Sequence, residues 1–167
     1  MSDEAYGTEP GDPHRARTII GAQLSEAEVA AFVEQSLAGA DLDDKRICLV
    51  VPDRTRTCPL PLILGAVHRA LAGRAKEVTV LIALGTHQAM SEEALGAHLG
   101  YAVGELEQTY PGWEVVNHES WLPETFATLG VIGRERMGEL TGGLMTDLDV
   151  TVRINRRVAE SDVAIVV

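Results

Sequence analysis

Two short and nearly uniformly apolar runs constrain this chain most: Ile47-Cys48-Leu49-Val50-Val51 and Val78-Thr79-Val80-Leu81-Ile82-Ala83-Leu84. Neither alternates apolar with polar residues, so each predicts a strand buried on both faces, as in a parallel sheet. Between them Leu60, Ile63, Leu64, Val67 and Leu71 recur at helical spacing. Pro59 or Pro61 suits the first turn of that helix, and Gly73 ends it. Strand, helix and strand in this order make a right-handed unit with parallel strands. The expected fold class is therefore α/β: a Rossmann-like, three-layer domain with a mostly parallel sheet.

The flanking residues extend the pattern. Ser25 and Glu28 form a reciprocal capping box ahead of Val29, Phe32, Val33 and Leu37, with Gly39 as the stop. Ser91 caps a further helix that runs to about Leu99, with Glu92 and Glu93 favourable near its positive end. A third strand is expected at 114–117. Residues 122–149 are Gly-rich and ambiguous. The alternation in Val150–Ile154 predicts an edge strand, and Asp162–Val167 a buried, interior one.

Residues 1–20 are polar and punctuated by Gly and Pro, and read as a flexible tail or an edge segment donated to another surface. The α/β domain is expected over 21–167. An interior strand needs chain after it to cover the sheet. The end at Val167 therefore reads as a domain incomplete at its C-terminus, with a strand that simply closes the domain as the other reading.

Composition excludes several roles. The 167 residues carry a formal net charge of -11, which repels phosphate backbones and argues against nucleic acid as a partner. Aromatic residues are only 4%, too few for base-stacking platforms. No apolar run approaches the roughly 18 residues that span a bilayer, so no membrane role is expected. No secretory signal precedes the domain, and a cytoplasmic location follows by default. Cys48 and Cys58 do not have the CxxC spacing of zinc or redox sites; Cys48 reads as a small core residue and Cys58 as loop filler.

In parallel sheets, ligands bind beyond the carboxyl ends of the strands. Two polar clusters stand at such ends: Asp53-Arg54-Thr55-Arg56-Thr57-Cys58-Pro59 and Gly85-Thr86-His87-Gln88. The strands before them should be neighbours about 4.8 Å apart, or one strand removed. Both loops would then face one crevice. Arg56 offers a planar fork of donors for a carboxylate or phosphate, with Thr55 and Thr57 beside it. Asp53 can orient Arg56 or His87, or hold a ligand hydroxyl. His87, with Thr86 beside it, can accept or donate a proton near neutral pH. Gly85 permits a sharp turn at the strand end. His118 is a weaker candidate for the same crevice, and His14, His68 and His98 are weaker still. No histidine and carboxylate set has metal-ligand spacing.

At these residues the sequence resembles the nickel-dependent lactate racemase family. The matching pieces are Val50-Val51-Pro52-Asp53-Arg54-Thr55-Arg56 with Pro59, then Leu81-Ile82-Ala83-Leu84-Gly85-Thr86-His87 followed by Ser91-Glu92-Glu93. A third is Ile154-Asn155-Arg156-Arg157-Val158-Ala159-Glu160-Ser161-Asp162. The resemblance implies an N-terminal α/β domain with the active site between it and a C-terminal domain. It also implies a nickel-pincer nucleotide cofactor and a small 2-hydroxy acid substrate. The family reaction takes a proton from the hydroxyl while the cofactor accepts a hydride, and then reduces the ketone on the opposite face. By resemblance His87 matches one of two acid/base histidines, Arg56 a substrate-engaging arginine, and Asp53 a supporting carboxylate.

Thr57 stands where the family usually has Pro, and Gln88-Ala89 where Arg-Pro is common, which leaves the substrate subclass open. The family's second catalytic histidine, cofactor-anchoring lysine and nickel-ligating histidine would lie past Val167. The resemblance therefore implies an isomerase only as a full-length protein, an inactive 167-residue chain, and no metal ligands in this stretch. A homo-oligomer stays open. The other reading is a non-catalytic module that binds a small anion through Arg56 or serves regulation. A hydrolase of the α/β class is disfavoured, since no Gly-x-Ser-x-Gly elbow occurs.

Overall fold

The computed structural model describes residues 23–167. The tail or edge segment expected at 1–20 lies outside the described residues. Four parallel strands form the main sheet: β1 (Arg46–Pro52), β2 (Glu77–Ala83), β3 (Trp113–Asn117) and β6 (Val163–Val166), in the order β3-β2-β1-β6. The two apolar runs are direct neighbours, with Ile47 opposite Val78 and Val51 opposite Ile82.

Strand parity divides the sheet into two faces. Ile47, Leu49 and Val51 of β1, Val78, Val80 and Ile82 of β2, and Trp113 of β3 point to one side. There they meet Leu60, Leu64, Val67 and Leu71 of α2 (Leu60–Leu71), together with Leu99 of α3 (Glu92–Leu99). The predicted stripe of α2 is thus its buried face, with Ile63 packed at the margin. Cys48, Thr79 and Leu81 are buried on the opposite side. A short helix, α6 (Arg156–Glu160), lies on that side, and Arg157 pairs there with Glu114 of β3 at 2.9 Å. The three-layer α/β expectation holds.

The first helix, α1 (Glu26–Ala38), starts as the capping box predicts. The Ser25 hydroxyl accepts from Glu28 N–H at 3.3 Å, and the Ser25 N–H donates to the Glu28 carboxylate at 2.8 Å. Arg69 of α2 reaches Glu34 of α1 at 2.8 Å. Arg74 ties down the chain just after α1 by donating to Leu37 O and Ala40 O at 3.2 and 3.0 Å. Cys48 is buried, and burial pushes its thiol pKa up, as suits a core residue.

One expectation holds in a different sheet and one needs correction. Residues 150–154 do not border the main sheet. As β5 (Val150–Asn155) they pair antiparallel with β4 (Phe126–Ile132) in a separate two-stranded sheet, shifted in register between Thr128 and Gly130. Alternation reports a half-exposed strand but not its partner, and the partner lies in the ambiguous Gly-rich stretch. That stretch also holds α5 (Arg134–Leu140). Among the described residues β6 is at the sheet edge rather than inside it, and Val166 is 78% exposed. Its apolar run packs Val163, Ile165 and Val167 onto the core while Ala164 and Val166 face out.

Candidate active site

β1 and β2 end side by side, Pro52 opposite Ala83, so the two polar loops leave the sheet together. They share a cavity of about 420 Å³. Asp53, Thr55, Arg56, Gly85, Thr86 and His87 line it, with Val50, Ala83 and Val166 among its apolar walls. The guanidinium-bearing loop and the imidazole-bearing loop therefore do open onto one hollow.

The first loop is built around Asp53, buried to 6% exposure. Its Oδ1 accepts from the Thr55 N–H at 3.0 Å and from the Thr55 hydroxyl at 2.5 Å, a tight Asx turn. Arg56 N–H donates to the Asp53 carbonyl at 3.2 Å, which closes the turn. From the α3 side, His98 Nε2–H donates to the Pro52 carbonyl at 2.8 Å.

The second loop turns at Gly85, whose φ of +61° is in the left-handed region that glycine adopts without strain. His87 N–H returns to Leu84 O at 3.0 Å. This brings the His87 ring over the first loop, with Nδ1 at 2.5 Å from Asp53 Oδ2.

Asp53 thus uses both carboxylate oxygens. The Thr55 hydroxyl first, and then His87, hold its pKa down to about 2, against the desolvation that would raise it. For a neutral ring, an ionised acceptor at Nδ1 selects the tautomer with its proton on that nitrogen, and Nε2 then carries the lone pair. The side chain of His87 is 59% exposed and lines the cavity.

Arg56 differs from most arginines of this acidic chain. Arg46, Arg69, Arg74, Arg134, Arg136, Arg156 and Arg157 each pair with a carboxylate. Among the described residues Arg54, Arg56 and Arg153 have no such partner, and of these only Arg56 lines the cavity. An unneutralised guanidinium beside a hydrogen-bonded imidazole suits a small carboxylate that carries an exchangeable proton nearby.

Among the described residues the other histidines make contacts within the fold, and His14 lies outside the described residues. His68 packs edge-on against Tyr110 and Trp113, and His118 packs against Phe126 while its Nδ1 accepts from the Asn155 side chain at 2.9 Å. His118 does not line the shared cavity. Thr57, placed beside Arg56 on sequence, does not line it either. The support from His98 has no sequence signature: it joins residues far apart in the chain.

The lactate racemase N-terminal domain family matches residues 18–167. The chain belongs to that family. A crystal structure of a protein from Thermotoga maritima superposes with a TM-score of 0.70 at 24% identity, over 89% of this chain and 34% of that one. Likeness at that identity bears on the fold, and this lactate racemase-family domain spans about a third of the length of that relative. No curated protein matches the chain.

Proposed function

We propose that this domain is the N-terminal part of a 2-hydroxy-acid racemase or epimerase of the lactate racemase family, with the α/β unit beginning near residue 21. In this reading Arg56 holds the substrate carboxylate in two-point contact, and the Nε2 of His87 takes or returns the hydroxyl proton. Asp53 fixes the imidazole tautomer and stabilises the imidazolium that forms. Thr55 holds the Asp53 carboxylate, and Thr86 lines the space between the two loops. The observation that carries the reading is that the Asp53–His87 pair and an unpaired Arg56 line one cavity.

Family resemblance assigns the reaction a nickel-pincer nucleotide. Among the described residues, no group of three or more His, Cys, Asp or Glu side chains is arranged to hold a metal ion, and no lysine lines the cavity. The residues here thus do not fit as anchors for that group. We assign to this chain only carboxylate binding and proton handling, and to a C-terminal domain the cofactor contacts.

The test is interconversion of D- and L-lactate by the full-length protein, followed by chiral chromatography. His87→Ala should lower kcat by on the order of 10²–10⁴, the usual weight of a positioned acid/base group. Wild-type turnover in His87→Ala would refute the assignment. Binding of lactate without turnover by the full-length wild type would favour a non-catalytic anion-binding module.

A further inference from the structure

His87 lies in an exposed stretch, Gly85–Ala89, that has few ties to the rest of the molecule. Apart from the turn back to Leu84, two other residues among those described hold segment 85–90 by hydrogen bonds. One is Asp53, through the imidazole. The other is Asn117, the last residue of β3, which grips Met90 at both backbone groups. Asn117 Oδ1 accepts from Met90 N–H at 3.1 Å, and Asn117 Nδ2 donates to Met90 O at 3.0 Å.

We propose that Asn117 is a positioning residue for His87. It sits opposite Ile82 of β2, and the following His118 N–H bonds to Ile82 O at 3.1 Å, so its backbone belongs to the rigid sheet. The two-point amide contact transfers that rigidity to the return of the loop, just before Ser91 caps α3. The loop is then fixed on both sides of His87, at the Leu84 turn and at Met90. Side-chain entropy alone would scatter the ring among rotamers; anchored ends keep Nδ1 within reach of Asp53. An amide is the side chain this job needs, because it offers one acceptor and one donor in the spacing of a peptide group. A carboxylate would serve the Met90 N–H and repel the Met90 carbonyl.

The inference rests on the proposed role of the Asp53–His87 pair, and one experiment separates the two. Ring nitrogen shifts of His87 and amide exchange at Met90 are measured by NMR on the 167-residue chain, for wild type, Asn117→Ala, Asn117→Asp and Asp53→Asn. Wild type should show a single neutral tautomer with the proton on Nδ1. Asn117→Ala should lose protection at Met90 by about fivefold, the factor one hydrogen bond carries, and should mix the two tautomers. Asn117→Asp should keep the Met90 amide protected and mix the tautomers less. It also carries the test if the alanine chain does not fold, and a wild-type tautomer in it then overturns the proposal. Loss of Met90 protection in Asn117→Ala with an unchanged His87 tautomer likewise overturns it, and reduces Asn117 to a loop brace. An unchanged tautomer in Asp53→Asn would instead refute the reading of the Asp53–His87 pair itself.

Discussion

The Asp53 carboxylate and the His87 imidazole, 2.5 Å apart, join the ends of two directly paired parallel strands. Adjacency of β1 and β2 makes the contact possible, because the loops that follow Pro52 and Ala83 start side by side. The Asx turn at Thr55 then occupies one carboxylate oxygen and leaves the other for the ring. Both oxygens of the carboxylate are then engaged, and the contact to the ring is made through Nδ1 rather than Nε2.

That contact predicts how Asp53→Asn behaves. The amide preserves shape but offers no negative charge, and it can turn its NH₂ toward Nδ1, which selects the opposite tautomer. On the proposed roles of His87 and Arg56, kcat of the full-length protein should fall by on the order of 10²–10⁴ with KM little changed. Steady-state kinetics check this. A loss confined to KM would place Asp53 in substrate binding instead.

Acid stability follows from the same carboxylate. Its folded pKa of about 2 lies below the ordinary 3.8. A depressed carboxylate stabilises the fold above its unfolded pKa, and that contribution disappears as the pH falls from about 4 through 2. The difference amounts to roughly 2 kcal/mol for this nearly buried group. Asp162, held well below the usual carboxylate range by hydrogen bonds from Arg46, acts in the same direction. Urea unfolding at pH 6, 4 and 3 should show wild type losing stability steadily and Asp53→Asn losing less. Parallel slopes in the two proteins would contradict the assignment.

Arg56 should dominate binding of small carboxylates to this domain. Hydrogen bonds to charged groups contribute about 1.5–3 kcal/mol, so Arg56→Ala should weaken lactate binding by about 10- to 100-fold. Arg56→Lys should recover part of it, because an ammonium keeps the charge without the fork. Arg54, exposed and outside the cavity, is the control, and Arg54→Ala should lie within about twofold of wild type. NMR titration with lactate measures all three. Equal losses for Arg54→Ala and Arg56→Ala would mean that the chain binds anions by general charge alone.

Much of this was legible in the sequence for physical reasons. The runs at 47–51 and 78–84 can hardly be placed except inside a parallel sheet, and the helix between them forces the strands to be parallel. That fixes where the Asp53 and His87 loops emerge, before any side-chain geometry is known. Pairing of β4 with β5 was not legible, because Leu129 and Val131 are exposed and give no period toward a core. The edge position of β6 was hidden for a related reason: apolar residues on both faces signal low polarity, not the number of neighbours. The Asn117 and His98 contacts were invisible because each joins a side chain to a backbone group far away in sequence, where residue type carries no information.

Two glycines separate backbone strain from steric crowding, and they give the last prediction. Gly85 has φ +61° and open space where a Cβ would stand. Gly85→Ala should therefore cost only the left-handed penalty, about 1–2 kcal/mol, with the loop intact. Gly100, which ends α3 at φ +88°, would put a Cβ 2.7 Å from the Pro61 Cβ in the first turn of α2. Neither a proline ring nor a packed helix start can move aside cheaply, so Gly100→Ala should cost clearly more than Gly85→Ala. Because α2 follows the Arg56 loop directly, displacing Pro61 should also disturb the cavity. Urea midpoints give the two costs, and the His87 ring shifts report the cavity. The expected result is a larger stability loss with an altered His87 signal in Gly100→Ala, and a smaller loss in Gly85→Ala. The reverse order of stabilities would mean that the contact between the two helix ends is looser than the 2.7 Å approach indicates.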